Sequence, residues 1–221
     1  MKMKKIIPIL LLGSILGCSN HLKLTDEAKL LELIPSDATL LERVEGEPEF
    51  VVGDLNHDGL TDIAAIIEIE DQGTVRREVI VIFKTNKNTH EISLQTDKFV
   101  LNEDEGGVWG DPLESISIEE GALVINHYGG SNWRWYTEQK LIYKDNNWYL
   151  SYIKNGTYFI GEQTSDEADE AFFDLLTGNF SISERDKNGG IIVNEGKNNN
   201  LKLLNINAVT DDWIDFKDLI K

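Results

Sequence analysis

Hydrophobic and polar positions alternate with a period of two along most of the chain. Runs of four to nine residues are rich in β-branched and aromatic side chains, and Gly, Asn and Asp separate them. This pattern is typical of strands joined by turns. The predicted strands are EFVVG, DIAAIIEIE, REVIVIF, ESISI, ALVINHY, YTEQKLIY and WYLSYI, followed by the shorter FFDLL, NFSIS, GIIV and LKLLNI.

Turn residues predict how neighbouring strands pair. Glu119-Glu120-Gly121 and Asp145-Asn146-Asn147 are short enough for tight hairpins, so the strands on either side should be antiparallel.

Helical periodicity occurs only near the two ends. TDEAKLLELIP has Thr25 as a cap and Pro35 as a stop, and an amphipathic DDWIDFKDLI follows Thr210. The expected fold is mainly β with minor α content: one antiparallel β-rich domain over residues 25–221, with a short helix at each end.

The segment GDLNHDGLTDIA carries the clearest candidate for metal chemistry. Calcium takes six to eight hard oxygen ligands, and alternate residues of a curled loop direct their oxygens at one centre. The predicted ligands are Asp54, Asn56, Asp58, the backbone carbonyl of Leu60, and Asp62. Gly59 permits the bend, and His57 should point outward. We expect a structural calcium, because no histidine ligand or phosphate lies nearby for catalysis; the alternative is an Asx-rich turn that satisfies its own backbone.

The flanks of this loop distinguish it from an EF-hand. Ala65 stands where an EF-hand has its bidentate glutamate, and strands rather than helices are predicted on both sides. The loop resembles the DxDxDGxxD calcium sites of FG-GAP and VCBS-type repeats, with Asn56 in place of the second aspartate. Since the chain has one copy and a propeller needs several blades, a propeller is excluded.

A longer resemblance covers most of the chain after residue 25. The segments IPSDATLL, GDLNHDGLTDIA, DPLESISI, GGSNWRW, KLIYKDNNWYL and LLTGNF resemble a pattern of uncharacterised exported bacterial proteins. The glycine motif departs from that pattern by an inserted Asn132. The resemblance implies a single β-rich domain with one calcium loop, and it implies no activity.

The N-terminus predicts export and lipidation. Lysines precede an apolar run that is too short to span a bilayer, which is typical of a signal peptide. Ile15–Cys18 resembles a bacterial lipobox, which implies cleavage before Cys18 and acylation of its thiol, with palmitate among the acyl chains. The expected organisation is a signal peptide at 1–17 and a lipidated tether at 18–24. Ser19 implies the outer membrane in a Gram-negative host; the alternative is an ordinary signal peptide that contains a cysteine.

The net charge limits the classes of binding partner that the protein is expected to have. The chain has 21 basic and 39 acidic residues, and loss of the three signal-peptide lysines leaves 18 basic residues and a net charge of about −21. Such a surface repels nucleic acid and anionic lipid head groups, so no nucleic-acid partner is expected. Membrane attachment should come from the acyl chains at Cys18, and the remaining partner is an unidentified envelope protein or glycan.

Two tryptophans form a candidate ligand face. Trp133 and Trp135 are two residues apart and share one face of a strand, while Arg134 lies on the other. Paired indoles can stack on a sugar, and Arg134 could contact a carboxylate or an aromatic ring. The alternative is that the indoles pack in the core with Leu141 and Tyr143, which have the same parity.

Enzymatic motifs do not occur in the sequence. It has no G-x-S-x-G elbow, HExxH, Walker loop or Rossmann fingerprint. Acidic clusters such as Glu103–Glu105 and Glu167–Glu170 are typical of solvated surface in so acidic a chain. The sequence therefore favours a lipid-anchored, calcium-stabilised binding or structural module, with a carbohydrate-binding or carbohydrate-acting protein as the alternative.

Overall fold

The computed structural model describes residues 29–71, 73–86, 89–186 and 188–209. The predicted signal peptide, Cys18, the tether, the Thr25 cap and the predicted helix after Thr210 all lie outside these residues. The described part of the predicted N-terminal helix is helical at residues 29–33. None of the described helices has the length and apolar character needed to cross a bilayer.

Strands make up most of the described chain. They are β1 Ala38–Leu40, β2 Glu42–Val44, β3 Glu47–Pro48, β4 Phe50–Gly53, β5 Asp62–Asp71, β6 Thr74–Lys84, β7 His90–Thr96, β8 Leu113–Glu119, β9 Ala122–Gly130, β10 Trp133–Lys144, β11 Asn147–Phe159, β12 Asp169–Asp174, β13 Asn179–Arg185, β14 Ile191–Lys197 and β15 Leu204–Asn205. Short 3-10 helices are η1 Glu103–Trp109, η2 Ser165–Glu167 and η3 Ile206–Ala208. The mainly β prediction is confirmed.

The strands form two antiparallel sheets and one small hairpin. The five-stranded sheet has the order β1-β5-β6-β7, with β4 also paired to β5. The eight-stranded sheet has the order β14-β13-β12-β11-β10-β9-β8, with β15 paired to β11. β2 and β3 pair with each other. The sheets of the described residues do not form a propeller, as the single calcium-loop motif predicted.

The main core lies between the two sheets. Ala64 and Ile66 of β5 pack there with Ile125 of β9 and Leu141 of β10, and all four are inaccessible to solvent. The opposite face of β5 is also covered, because Ile63 and its neighbours pack against the helical residues around Leu30 in a second cluster. Burial on both faces explains why the sequence DIAAIIEIE is almost continuously apolar instead of alternating.

Both predicted hairpin turns form. Glu120 and Gly121 have φ of 50° and 81°, and Asp145 and Asn146 have φ of 50° and 60°. Two successive residues with positive φ are characteristic of a two-residue type I′ turn, whose twist matches that of the flanking strands. These turns fix the registers of β8 on β9 and of β10 on β11.

Some strands were missed by the sequence pattern. β1, β2 and β3 have two or three residues each, which is too short for a periodic signal. β7 has the polar sequence HEISLQT and lies at one edge of the five-stranded sheet, where it pairs with β6 alone. The predicted strand LKLLNI forms only at Leu204–Asn205 and then continues into η3.

Candidate functional site

The predicted calcium loop connects β4 to β5, as expected from its flanks. The carboxylate of Asp54 accepts hydrogen bonds from the backbone N–H groups of Asp58 at 3.1 Å and Gly59 at 2.9 Å. The Asn56 side-chain oxygen accepts from the N–H of Asp58 at 3.0 Å, and Asp58 accepts from the N–H of Leu60 at 2.8 Å. Backbone N–H groups therefore orient three of the predicted ligand side chains.

Asp62, the last predicted ligand, is completely buried. One carboxylate oxygen accepts from the N–H of Leu55 at 2.9 Å and the other from the N–H of Lys84 at 3.1 Å. Burial raises the pKa of Asp62; the two N–H donors oppose that shift, and the nearby charge of Asp58 adds to it. Asp62 therefore ties the loop to β6, a structural role that ligand spacing alone did not indicate.

The loop has the hydrogen bonds of an Asx-rich turn, and these do not occupy every lone pair of its carboxylates. A carboxylate has about four lone-pair sites, and Asp54 uses two of them on backbone N–H groups. Across the described ranges, no three His, Cys, Asp or Glu side chains lie together as a metal-binding group. Calcium binding therefore stays a prediction.

The same loop contacts the second sheet. His57 is exposed, as predicted, and has φ of 60°. Its imidazole lies against Gly121 in the β8–β9 turn so closely that a Cβ on Gly121 would overlap the ring. At the start of the loop, a Cβ on Gly53 would be 3.0 Å from Cγ2 of Ile118 in β8. The loop thus lies at the junction of the two sheets.

The two predicted tryptophans share a face of β10, but their environments differ. Trp135 pairs with Gly129 of β9 and covers it so tightly that a Cβ there would overlap the indole. Trp133 is 62% exposed and its indole lies beside the ring of Phe159, with the centroids 5.3 Å apart. The core interpretation is therefore wrong for Trp133, because its end of the strand extends past the buried core that contains Leu141.

Arg134 lies on the opposite face of β10, as predicted. Its guanidinium is 4.8 Å from the ring centre of Trp109 and 6.0 Å from that of Tyr128, both within cation–π range. It also donates a hydrogen bond to the carbonyl of Gly130 at 2.9 Å. We call Trp109, Tyr128, Trp133, Arg134 and Trp135 the aromatic end of the sandwich.

Trp109 is a member of the aromatic end that sequence reasoning missed. It closes η1 in the segment GGVWG, which has no strand or helix periodicity to draw attention to it. Its indole is 51% exposed and meets Tyr128 edge to face, with the centroids 4.8 Å apart. Trp109 and Tyr128 are well separated in the sequence, so only the tertiary structure shows that their rings are in contact.

A buried ion pair holds the segment that carries Trp109. Arg77 of β6 is 3% exposed and donates to both carboxylate oxygens of Asp111, at 2.6 and 2.9 Å, and to Glu68 at 3.1 Å. Its backbone N–H donates to Asn102 at 2.9 Å. Burial alone raises the pKa of Asp111, but hydrogen bonds from Arg77 and the N–H of Leu113 together with the charge of Arg77 outweigh burial and lower it.

His127 supports the same segment from the eight-stranded sheet. Its side chain is 2% exposed, and its Nε2 accepts from the N–H of Leu101 at 3.3 Å. Accepting through Nε2 puts the ring proton on Nδ1, which lies 3.4 Å from the hydroxyl of Thr137. Burial lowers the pKa of His127 to about 4, so the imidazole is neutral at pH 7.

The outer face of the eight-stranded sheet, away from the core, carries polar aromatic side chains. The hydroxyls of Tyr128 and Tyr158 lie 2.7 Å apart. Tyr136 donates its hydroxyl to Glu170 at 2.6 Å, and Lys154 pairs with Glu170 at 2.8 Å. These side chains link four adjacent strands, β9 to β12, across one surface.

Comparisons with protein-family models, with curated proteins and with solved structures gave no match.

Proposed function

We propose that this protein is a lipid-anchored protein of the bacterial cell envelope whose β-sandwich is a calcium-stabilised binding module. The observation that supports a binding role most directly is the aromatic end. Trp109 and Trp133 expose half or more of their surface there, and Arg134 stacks on the first of them. The accessible indole of Trp109 beside the guanidinium of Arg134 provides apolar area together with polar specificity, as binding surfaces do.

The lipid anchor rests on the lipobox-like sequence that ends at Cys18. Expressed in bacteria, the unmutated gene should give a product that labels with palmitate and partitions into detergent. Cys18→Ala should lose both properties, because Cys18 is the only cysteine of the chain. A water-soluble product of the unmutated gene, processed at another residue, would refute the anchor.

The structural calcium rests on the ordered carboxylates of the loop from Asp54 to Asp62. With a dissociation constant of about 0.1 mM, calcium at about 1 mM should add about 1.4 kcal/mol to the free energy of unfolding. For a domain of this size the melting temperature should rise by about 3–6 °C. Magnesium should have a smaller effect, since it releases its waters reluctantly.

Asp58→Ala tests the calcium site with little risk to the fold. Asp58 is exposed, and its replacement spares the Gly59 bend and the buried Asp62. The variant should lose the calcium-dependent rise in melting temperature while keeping most of its stability in chelator. Asp37→Ala, in an exposed turn outside the loop, is the matched control. No calorimetric binding to the unmutated protein at millimolar calcium would leave the loop as an Asx-rich turn.

A carbohydrate-binding or carbohydrate-acting role is the second candidate, and the exposure of Trp133 favours it. An indole that is 62% exposed at the end of a strand presents a flat apolar face of the kind that sugars stack on. Trp133→Ala should abolish retention on insoluble polysaccharide without lowering the melting temperature. Trp135→Ala should lower it, because Trp135 packs over Gly129. Unchanged retention by the Trp133 variant would argue against a sugar at the aromatic end.

A further inference from the structure

The strand β14 lies at one edge of the eight-stranded sheet, and that edge is open. Among the described residues it pairs with β13 alone, and all seven of its residues are exposed. Three large apolar side chains follow one another there, since Ile191, Ile192 and Val193 are each more than half exposed. An edge strand of this kind offers unpaired backbone groups beside apolar area, which is the surface that a further strand adds to.

Hydrogen bonds at the two ends of the β13–β14 pair show which backbone groups are directed outward. The N–H of Asp186 donates to the carbonyl of Gly190 at 2.7 Å, and the N–H of Asn198 donates to that of Gly178 at 2.9 Å. The register between these two bonds is uninterrupted. Because bonding alternates along an antiparallel pair, the even-numbered residues of β14 bond to β13. The odd-numbered residues direct their N–H and C=O groups to the open edge.

The other sheet edges in the described part of the chain have features that hinder pairing. β8 contains a bulge against β9, and Arg43 donates to its carbonyls at Leu113 and Glu114, at 2.6 and 3.0 Å. β7 is polar and contains a bulge against β6. β1 and β4 have only three and four residues. β14 is seven residues long, has neither a bulge nor a proline, and begins with three apolar residues, so its edge is the one suited to pairing.

We infer that β14 pairs antiparallel with β14 of a second copy of this chain, about a two-fold axis that passes between the two Asn194 residues. A second copy fits because the axis places the odd-numbered donors and acceptors of one strand opposite those of the other. The strand contains one glutamate and one lysine, so it adds no net charge of its own, although the chain has a net charge of −18. The pairing joins two eight-stranded sheets edge to edge.

Charge and length select this register over its neighbours. It pairs all seven residues of β14, with Val193 opposite Glu195 of the second copy. A shift of two residues in one direction places Glu195 opposite its own copy, where like charges repel. The same shift in the other direction leaves Gly196 and Lys197 beyond the end of the partner strand.

The side chains on the core side of this pairing are complementary in size. Ile192 lies opposite Gly196 of the second copy, which has no side chain to displace it. Phe180 of β13 is paired with Gly196, and a Cβ on that glycine would be 3.6 Å from the Phe180 ring. Ile192 therefore meets an aromatic neighbour across the glycine. Because Phe180 packs against the main core, the pairing extends the apolar layer across the axis.

Disulfide formation between single cysteines tests the partner and the register together. Asn194→Cys is placed in a full chain that also carries Cys18→Ala, so that the new thiol is the only one. Even-numbered residues form the non-hydrogen-bonded pairs across the axis, where opposed Cβ atoms are about 4.5–5.5 Å apart. Mild oxidation should therefore link Asn194→Cys into a dimer about tenfold faster than Asp37→Cys, whose exposed turn reports random collision. Val193→Cys and Glu195→Cys should react more slowly than Asn194→Cys, because each is diagonal to its copy.

Sedimentation equilibrium of the Cys18→Ala chain tests the pairing without a cross-link. A dissociation constant on the order of 0.1 mM is expected, because one strand pair is a small interface. Val193→Pro should weaken association about tenfold, because it removes an N–H that is directed to the open edge. Its melting temperature should stay within a few degrees, because that N–H does not bond to β13. Val108→Ser removes an exposed valine far from β14 and should leave association unchanged.

Three results would overturn the inference. One is that Asn194→Cys cross-links no faster than Asp37→Cys, and another is that the Cys18→Ala chain stays monomeric at millimolar concentration. A strand from elsewhere in the chain, or from another protein, would leave the purified protein monomeric in this way. The third is that Val193→Pro, still folded, associates as strongly as the chain without it. Faster cross-linking at Val193→Cys or Glu195→Cys than at Asn194→Cys would overturn the register.

Discussion

Replacing Asp111 by Ala should expose how strongly the buried ion pair holds the two sheets together. Asp111 leads into β8 of the eight-stranded sheet, and its partner Arg77 belongs to β6 of the five-stranded sheet. The variant leaves the guanidinium of Arg77, 3% exposed, with Glu68 as its remaining carboxylate partner at 3.1 Å. The segment that carries Trp109 loses its ion pair with β6 at the same time.

The expected loss of stability depends on whether the charged group that remains can be hydrated. Breaking a buried pair so that one charge stays buried costs about 3–5 kcal/mol, and the remaining contact to Glu68 puts this case near about 3 kcal/mol. Arg77→Met should cost only about 1 kcal/mol. It leaves the charge on Asp111, whose side chain is 25% exposed and still accepts the N–H of Leu113 at 3.0 Å. The two single variants should therefore differ by about 2 kcal/mol, although they break the same contact.

Urea unfolding at pH 7 measures the difference in stability between the two single variants from their unfolding midpoints. The Asp111→Ala, Arg77→Met double variant is measured in the same way. The double variant should be more stable than Asp111→Ala alone, because it no longer contains a buried guanidinium that has lost the Asp111 carboxylate. Because the folded pKa of Asp111 is lowered, its contribution is complete above the unfolded pKa of about 3.9. That contribution should vanish as the pH falls through the folded pKa. Equal losses in the two single variants at pH 7 would refute the argument.

Three further perturbations test other parts of the fold. The pKa of His127 is lowered to about 4 in the folded state, so the unfolded chain is protonated at a higher pH than the folded protein. The free energy of unfolding in urea should therefore decrease as the pH falls from about 6.5 to 4. This slope should shrink in His127→Gln but persist in His90→Gln. Gly121→Ala should lower the melting temperature in calorimetry by several degrees, because Gly121 has φ of 81° and its Cβ would overlap His57. Ile192→Lys should change the unfolding free energy by less than about 0.5 kcal/mol and reduce light scattering at high concentration, because Ile192 is 60% exposed on an edge strand.

Local patterns predicted most of the strands and both tight turns. The run from Asp62 to Glu70 and the type I′ turns depend on side-chain size and on backbone freedom at two residues, which are properties of short segments. The edge strand β7 was missed because Leu94 is the one buried residue among its seven, which is too few for a periodic pattern of apolar positions. The buried ion pair of Arg77 was also missed, since no local pattern separates a buried arginine from an exposed one.

For the candidate sites, the sequence by itself determined which residues lie in one loop or on one face of a strand. The order of oxygen-bearing side chains from Asp54 to Asp62 and the alternation of Trp133, Arg134 and Trp135 are fixed by chain geometry. Only the tertiary structure decided that Asp62 is buried, that Trp133 is exposed, and that Trp109 stacks with Arg134. Burial and long-range contact depend on which strands pair and where the core ends, and these are set by the packing of the two sheets as a whole.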